Sequence, residues 1–162
     1  MMSHTRAQSS MNTQNKLNTQ NESGQTLIAF DFGTRFVGIA VGDTETRTAH
    51  PLEMIDAEAN AVRFARIQAL LQEWRPARLV VGLPLSLAGA ECDMTRRARR
   101  FARQLEARFA LPVEMVDERL SSASAEEMLA SAGRKRRSHK HESHALAAQI
   151  ILQGFLDERA AV

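Results

Sequence analysis

The sequence predicts an α/β domain: a five-stranded mixed sheet, three strands antiparallel and the rest parallel, with helices on both faces. Three observations carry this. Short apolar runs bounded by turn residues recur at 27–32, 35–43, 50–55, 78–84 and 113–118, as expected of strands covered by other layers. The first three runs follow one another with only short connections, whereas helical stretches separate the later ones, and parallel pairing needs such crossovers. With 162 residues, 44% of them hydrophobic, the chain suits one domain with a real core.

Residues 1–25 are mostly Ser, Thr, Asn and Gln, with too little to bury, and are expected to form a disordered tail ahead of a domain over 26–162. LIAFDF (27–32) is the first strand. Gly33-Thr34 turns the chain, and RFVGIAVGD (35–43) returns beside it. HPLEMI (50–55) is the third strand, where Pro51 argues for an edge or a strand start. Residues 57–75 predict a helix with Val62, Ala65, Leu70 and Trp74 near one stripe. RLVVGLP (78–84) is a buried strand, a second helix runs from about Asp93 to Phe109, and VEMVDE (113–118) is the fifth strand. Ser124 and Glu127 form an S-x-x-E capping box for a short helix. A basic loop over 133–141 then precedes a final helix from about Glu142 to Asp157.

No apolar run reaches the ~18 residues of a membrane span. The single cysteine, Cys92, excludes a disulfide scaffold and a cysteine-rich zinc module. No secretory signal is visible, so a reducing, cytoplasmic setting is expected. Net charge is only +2, yet the chain holds 18 Arg against 3 Lys. A high-GC genome would also enrich arginine, so position says more than count. Six arginines fall between Arg96 and Arg108 against one acid, Glu106. Five further cations, Arg134, Lys135, Arg136, Arg137 and Lys140, face only Glu142. Such clusters on a nearly neutral chain suit a polyanion, nucleic acid above all. The second helix divides into Met94, Ala98, Phe101 and Leu105 on one face and Arg96, Arg99, Arg100 and Arg103 on the other. That second stripe is either a solvated face or a seat for a phosphate backbone, which would relieve its self-repulsion.

Three places could carry chemistry. Asp31 closes an apolar strand, with Gly33 leaving room beside it for an ion or phosphate; the alternative is a turn-forming aspartate. Asp117 and Glu118 are neighbours on a strand and point to opposite faces, so one of them can join Asp31, unless they pair with Arg119. His144 falls on the apolar face of the last helix with Ala147, Ala148, Ile151 and Phe155, opposite Glu142. It is either a hydrogen-bonded core histidine or a group reaching the strand ends, which small Ala147 and Ala148 would allow.

FDFGTRFVGIAVGD (30–43), VVGLPLSLAGA (80–90), VDERLSSASAEEML (116–129) and ALAAQIILQGFL (145–156) resemble, in this order and spacing, the bacterial YqgF (RuvX-type) family. The resemblance covers roughly residues 26–156 and implies a ribonuclease H-like fold. Members are described as Holliday junction resolvases and as nucleases maturing the 5′ end of the 16S ribosomal RNA precursor. It further implies that Asp31, Glu118 and the residue at position 144 hold two divalent cations, Mg²⁺ or Mn²⁺, and that Arg35 belongs with the basic residues above in binding nucleic acid. Where the family usually has Asp, this chain has His144; Phe36 replaces a second basic residue, and Ser86 and Ala88 replace Asn and Asp. An imidazole suits Mn²⁺ better than Mg²⁺.

The expected function is a metal-dependent endonuclease processing pre-16S rRNA. A Holliday junction resolvase, or a nucleic-acid-binding factor with weakened catalysis, are the alternatives. A phosphotransferase of the actin and sugar-kinase type also begins with F-D-F-G-T, but it needs a second lobe with another D-x-G, and this chain has one.

Overall fold

The structure, a computed structural model, describes residues 24–86, 88–118 and 139–160, with the backbone alone at 139–142 and 160. Its elements are β1 (Thr26–Phe32), β2 (Phe36–Asp43), β3 (Thr48–Asp56), α1 (Asn60–Trp74), β4 (Arg78–Leu83), α2 (Asp93–Phe109), β5 (Val113–Asp117) and α3 (His139–Ala160). The five strands form one sheet in the order β3-β2-β1-β4-β5. β1 pairs antiparallel with β2, and β2 with β3, while β4 runs parallel to both β1 and β5. This is the mixed sheet the element order predicts.

Alternation along β1 divides the core. Ile28 and Phe30 face one layer, where α1 and α2 dock Phe64, Ile67, Leu70, Phe101 and Leu105. Leu27 and Ala29 face the other, beneath Ala148, Ile151, Leu152 and Phe155 of α3. Each such large side chain contributes roughly 1.5–3 kcal/mol by leaving water. β3 is an edge strand, and Pro51 sits at its register shift opposite Ala40, where a missing N–H costs no ladder bond. Helix α3 covers part of that edge. Gln149 donates to the Ala49 carbonyl at 2.9 Å, and Gln153 accepts from the Ala49 N–H at 3.0 Å and donates to the Arg47 carbonyl at 2.9 Å.

Two expectations are corrected. The buried face of α1 is Arg63, Phe64, Ile67, Leu70 and Leu71, whereas Val62 is 59% exposed and Trp74 37%. Phe64, Ile67 and Leu71 make an i, i+3, i+7 stripe, and Val62 lies about 200° round the helix from Phe64. The last helix also begins at His139 rather than Glu142, since no Gly or Pro in that stretch stops it. Residues 1–23 of the expected tail, the Ser124–Glu127 capping box and Arg134 to Arg137 lie outside the described residues. Among those described, no helix is long and apolar enough to cross a membrane.

Helix α3 runs along β2 on a track of small residues, Gly38, Ala40 and Gly42. A Cβ on Gly38 would collide with the His144 carbonyl, and one on Gly42 would sit 2.9 Å from Leu152 Cδ2. Four strand residues and nine helical residues both span ~13 Å, so the two glycines serve opposite ends of one contact. Gly154, on the far side of α3, has nothing within 4 Å of its would-be Cβ. Gly38→Ala should therefore lower stability by about 1–3 kcal/mol through overpacking, and Gly154→Ala should raise it by about 0.5–1 kcal/mol through helix propensity. Urea unfolding of both variants checks the pair; equal effects would mean that α3 does not depend on this track.

Candidate functional site

β1, β4 and β5 are parallel, so their carboxyl ends share one edge of the sheet, where ligand sites of such folds gather. Asp31 is the penultimate residue of β1, and Glu118 directly follows β5. The Glu118 N–H donates to the Leu83 carbonyl at 3.2 Å, continuing the ladder one residue past β5. Alternation turns Asp31 away from the Phe30 and Phe32 layer and towards α3. Glu118 occupies the space that Gly82 leaves open, where a Cβ would stand 2.6 Å from both Glu118 Oε2 and Ile151 Cδ1. Of the two adjacent acids, Glu118 turns inward and Asp117 is exposed. From α3, His144 Nδ1 stands 3.8 Å from Asp31 Oδ2, with side-chain exposures of 33% and 18%. The three residues singled out in the sequence thus converge from three elements.

Burial pushes the Glu118 carboxyl up to about 8, reinforced by the negative charge of Asp31, by a hydrogen bond to that carboxylate and by the charge of Asp117. Two carboxylates pressed together in a half-buried place repel unless a proton or a cation lies between them. Their hard oxygens are the donor chemistry of a divalent cation, so the pair fits one. Among the described residues, no group of three His, Cys, Asp or Glu side chains closes to metal-holding distance. His144 stands beside the acid pair, on the Asp31 side.

Phe36, where the sequence shows no second cation, stacks on the His144 ring with centroids 5.3 Å apart, and the Arg35 guanidinium lies 5.1 Å from the Phe36 centroid. This stack limits how His144 can turn. It was illegible in the sequence, as was the part played by Gly38 and Gly82: no pattern says which glycine faces which side chain. Across the site, buried Thr95 at the start of α2 donates its hydroxyl hydrogen to the Pro84 carbonyl, fixing the loop after β4. Ser86 organises that loop, accepting from the Ala90 N–H at 3.0 Å, while Gly89 adopts φ +82°.

The predicted basic residues separate into two sets. Arg35 pairs with Asp56 at 3.0 Å, Arg96 with Asp93 at 3.8 Å and Arg99 with Glu91 at 2.5 Å. Arg100 and Arg103 have no ion pair among the described residues, and the side chains of Arg134, Lys135, Arg136, Arg137 and Lys140 are not among those described.

The chain matches, over residues 25–158, the family described as "RuvX: Holliday junction resolvase". It is 53% identical over 133 residues to a Bordetella parapertussis protein named "Putative pre-16S rRNA nuclease", covering 82% of this chain and 94% of that one. A Methylobacillus flagellatus protein of the same name is 50% identical over 135 residues, covering 83% and 92%. Among solved structures, T. thermophilus RuvC in complex with a Holliday junction substrate aligns with a TM-score of 0.54 at 18% identity, covering 83% of this chain and 96% of that one. That likeness shows the fold, which is ribonuclease H-like as expected.

Because Glu118 holds its proton above the ordinary range, its stabilising contribution in metal-free protein is complete below about 4.5 and is lost as pH rises through about 8. In chelator, the melting temperature should fall between about pH 5 and pH 9. Glu118→Gln should flatten that fall and melt at or above the parent at the alkaline end. A fall of the same size in the variant would mean that Glu118 is not the titrating group.

Proposed function

The chain belongs to the RuvX family, and from that premise we propose that it is a metal-dependent endonuclease that hydrolyses phosphodiester bonds of pre-16S rRNA at the 5′ side, acting in the cytoplasm. The observation that carries this reading is the meeting of Asp31 and Glu118 at one half-buried edge of the sheet, where burial and the Asp31 carboxylate push the Glu118 carboxyl up. A divalent cation held there, Mg²⁺ or Mn²⁺, would supply water activation and neutralise charge on the leaving oxygen.

The residues themselves have distinct tasks. Asp31 and Glu118 offer hard carboxylate oxygens from two strands whose hydrogen-bonded ladders keep them from drifting apart. His144 presents its ring to Asp31 and is braced by Phe36, so it orients that carboxylate and offers a softer third donor. Arg100 and Arg103, with Arg35 and the basic residues 134–137 and 140, hold the phosphate backbone by charge-assisted hydrogen bonds. The name of the matched family favours a second reading, cleavage of four-way DNA junctions. The replacement of the family's usual Asp by His144 favours a third, binding with weakened catalysis.

Cleavage assays on precursor rRNA and four-way junctions, with Mg²⁺ or Mn²⁺, separate the three. Precursor cleavage is the expected result, junction cleavage alone selects the resolvase, and tight binding without cleavage selects the third reading. Asp31→Asn should lower cleavage by at least ~10²-fold while melting as a folded protein. His144→Asp should raise Mg²⁺-supported activity relative to Mn²⁺, and His144→Ala should lower activity with both ions. An unchanged Mg²⁺ to Mn²⁺ ratio in His144→Asp would remove this residue from the metal's surroundings.

A further inference from the structure

On the other side of the same sheet edge, where α1 and α2 meet the β1–β2 turn, lies an open cavity of about 440 Å³. One of its walls is Arg63, only 3% exposed. The Arg63 Nη2 donates to the carbonyls of Thr34 at 2.7 Å and Ala57 at 2.8 Å, while Nε is buried with no hydrogen-bond partner. Its guanidinium lies 5.4 Å from the Phe32 ring centroid and has no carboxylate within 4 Å among the described residues. The two carbonyl contacts make Arg63 a strut for the turn, yet they leave a buried positive charge without a counter-ion, and such a charge is costly. Burial correspondingly disfavours the charged form of Arg63.

A strut alone does not explain the rest of the cavity. Arg97 and Arg100 of α2 also line it, so three arginines and one acid, Glu58, share its walls. Arg97 is held by Asp93 at 3.0 Å, whereas Arg100 has no ion pair among the described residues. Asn60 opens α1 in the same wall. No side chain caps the start of that helix and no acid stands in its first turn, so its unpaired N–H groups and positive dipole end meet the cavity. A buried cation lacking its anion, two further arginines and an uncapped helix start converge on one opening. The ligand that fits is a phosphate.

We propose that this cavity is a phosphate subsite for the nucleic-acid strand, gripping a backbone phosphate that flanks the one positioned at Asp31 and Glu118. It rests on the nuclease reading only in its choice of source. Thr34 in the cavity wall is three residues beyond Asp31 on the same turn, and Arg100 continues the α2 stripe of Arg96, Arg99 and Arg103. A strand crossing the sheet edge therefore meets both places, one on each face. Arg63 and Arg97 join the substrate-binding residues, and Arg63 fixes the turn that follows Asp31.

The test measures binding and small-substrate hydrolysis separately. Fluorescence anisotropy of a labelled single-stranded RNA oligomer in chelator should show Arg63→Met and Arg100→Gln weakening binding by roughly 5- to 20-fold. The log–log salt slope should fall by about 0.7 for each phosphate no longer neutralised. Arg66→Gln, whose parent side chain pairs with Glu53 at 2.6 Å on the exposed side of α1, should change neither. Hydrolysis of bis(p-nitrophenyl) phosphate, too small to reach the cavity, should be unchanged in Arg66→Gln. If the parent protein does not hydrolyse that ester, the nuclease reading fails while the binding data still decide the subsite. Should Arg63→Met not fold, Arg100→Gln and the doubly substituted Arg97→Gln, Arg100→Gln protein carry the test. An unchanged affinity and slope in these variants would overturn the proposal. Stabilisation of the parent by inorganic phosphate with no change in RNA slope would assign the cavity to a free anion and overturn it equally.

Discussion

Because Gly38 lets the α3 backbone at His144 lie against β2 and Gly42 leaves room for Leu152 and Leu156, α3 packs closely on the sheet, and much else in the molecule depends on that approach. It lowers Ala148, Ile151, Leu152 and Phe155 into the second core layer. It brings Gln149 and Gln153 to the backbone of the edge strand. It also carries His144 to within 3.8 Å of Asp31, whose register partner is Gly38 itself. One close approach therefore closes a hydrophobic layer, protects a sheet edge and completes one side of the candidate site. A helix held even one methyl group farther out would lose all three together.

At the carboxyl edge the sheet separates two opposite electrostatic problems. Towards α3, Asp31 and Glu118 crowd two acids into a half-buried place, and burial together with the Asp31 charge pushes the Glu118 carboxyl up. Towards α1 and α2, Arg63 is buried with carbonyl partners but no counter-charge among the described residues. Both arrangements are unfavourable as isolated charges in a low-dielectric setting. Both become favourable when a partner of opposite sign arrives, a cation on one face and a phosphate on the other. On the proposed reading a nucleic-acid strand with its attendant metal would supply both, and β1 links the two sides because Asp31 and Phe32 alternate across the sheet.

The α2 helix shows how burial and pairing reshape a charge stripe. Its apolar side does face the core, through Ala98, Phe101 and Leu105, with Thr95 and Ala102 added. Its cationic side is not uniform. Arg96 and Arg97 share Asp93, and Arg99 is taken by Glu91 from the preceding loop. Exposed pairs of this kind stabilise by about 0–1 kcal/mol, enough to orient a guanidinium but not to withdraw it from a stronger anion. Arg100 and Arg103 keep their charge available, and those two therefore carry more of the proposed strand binding than the stripe as a whole suggests.

The sequence by itself determined the sheet, its mixed pairing and the placement of helices on both faces, and it singled out Asp31, His144 and one of Asp117 and Glu118 as candidates at its edge. Periodicity, turn residues and chain order are local or sequential properties, and Asp31, Glu118 and His144 each sit at the end or on the inner face of an element those properties define. The stripe of α1 escaped this logic because Val62 and Trp74 are as apolar as Phe64 and Ile67, and only docking decides which arc is buried. The functions of Gly38, Gly82, Phe36 and Arg63 were likewise decided by tertiary structure. Each acts by touching a residue far away in the chain, and a glycine's missing side chain or an arginine's missing counter-ion acquires meaning only when distant elements are packed against it.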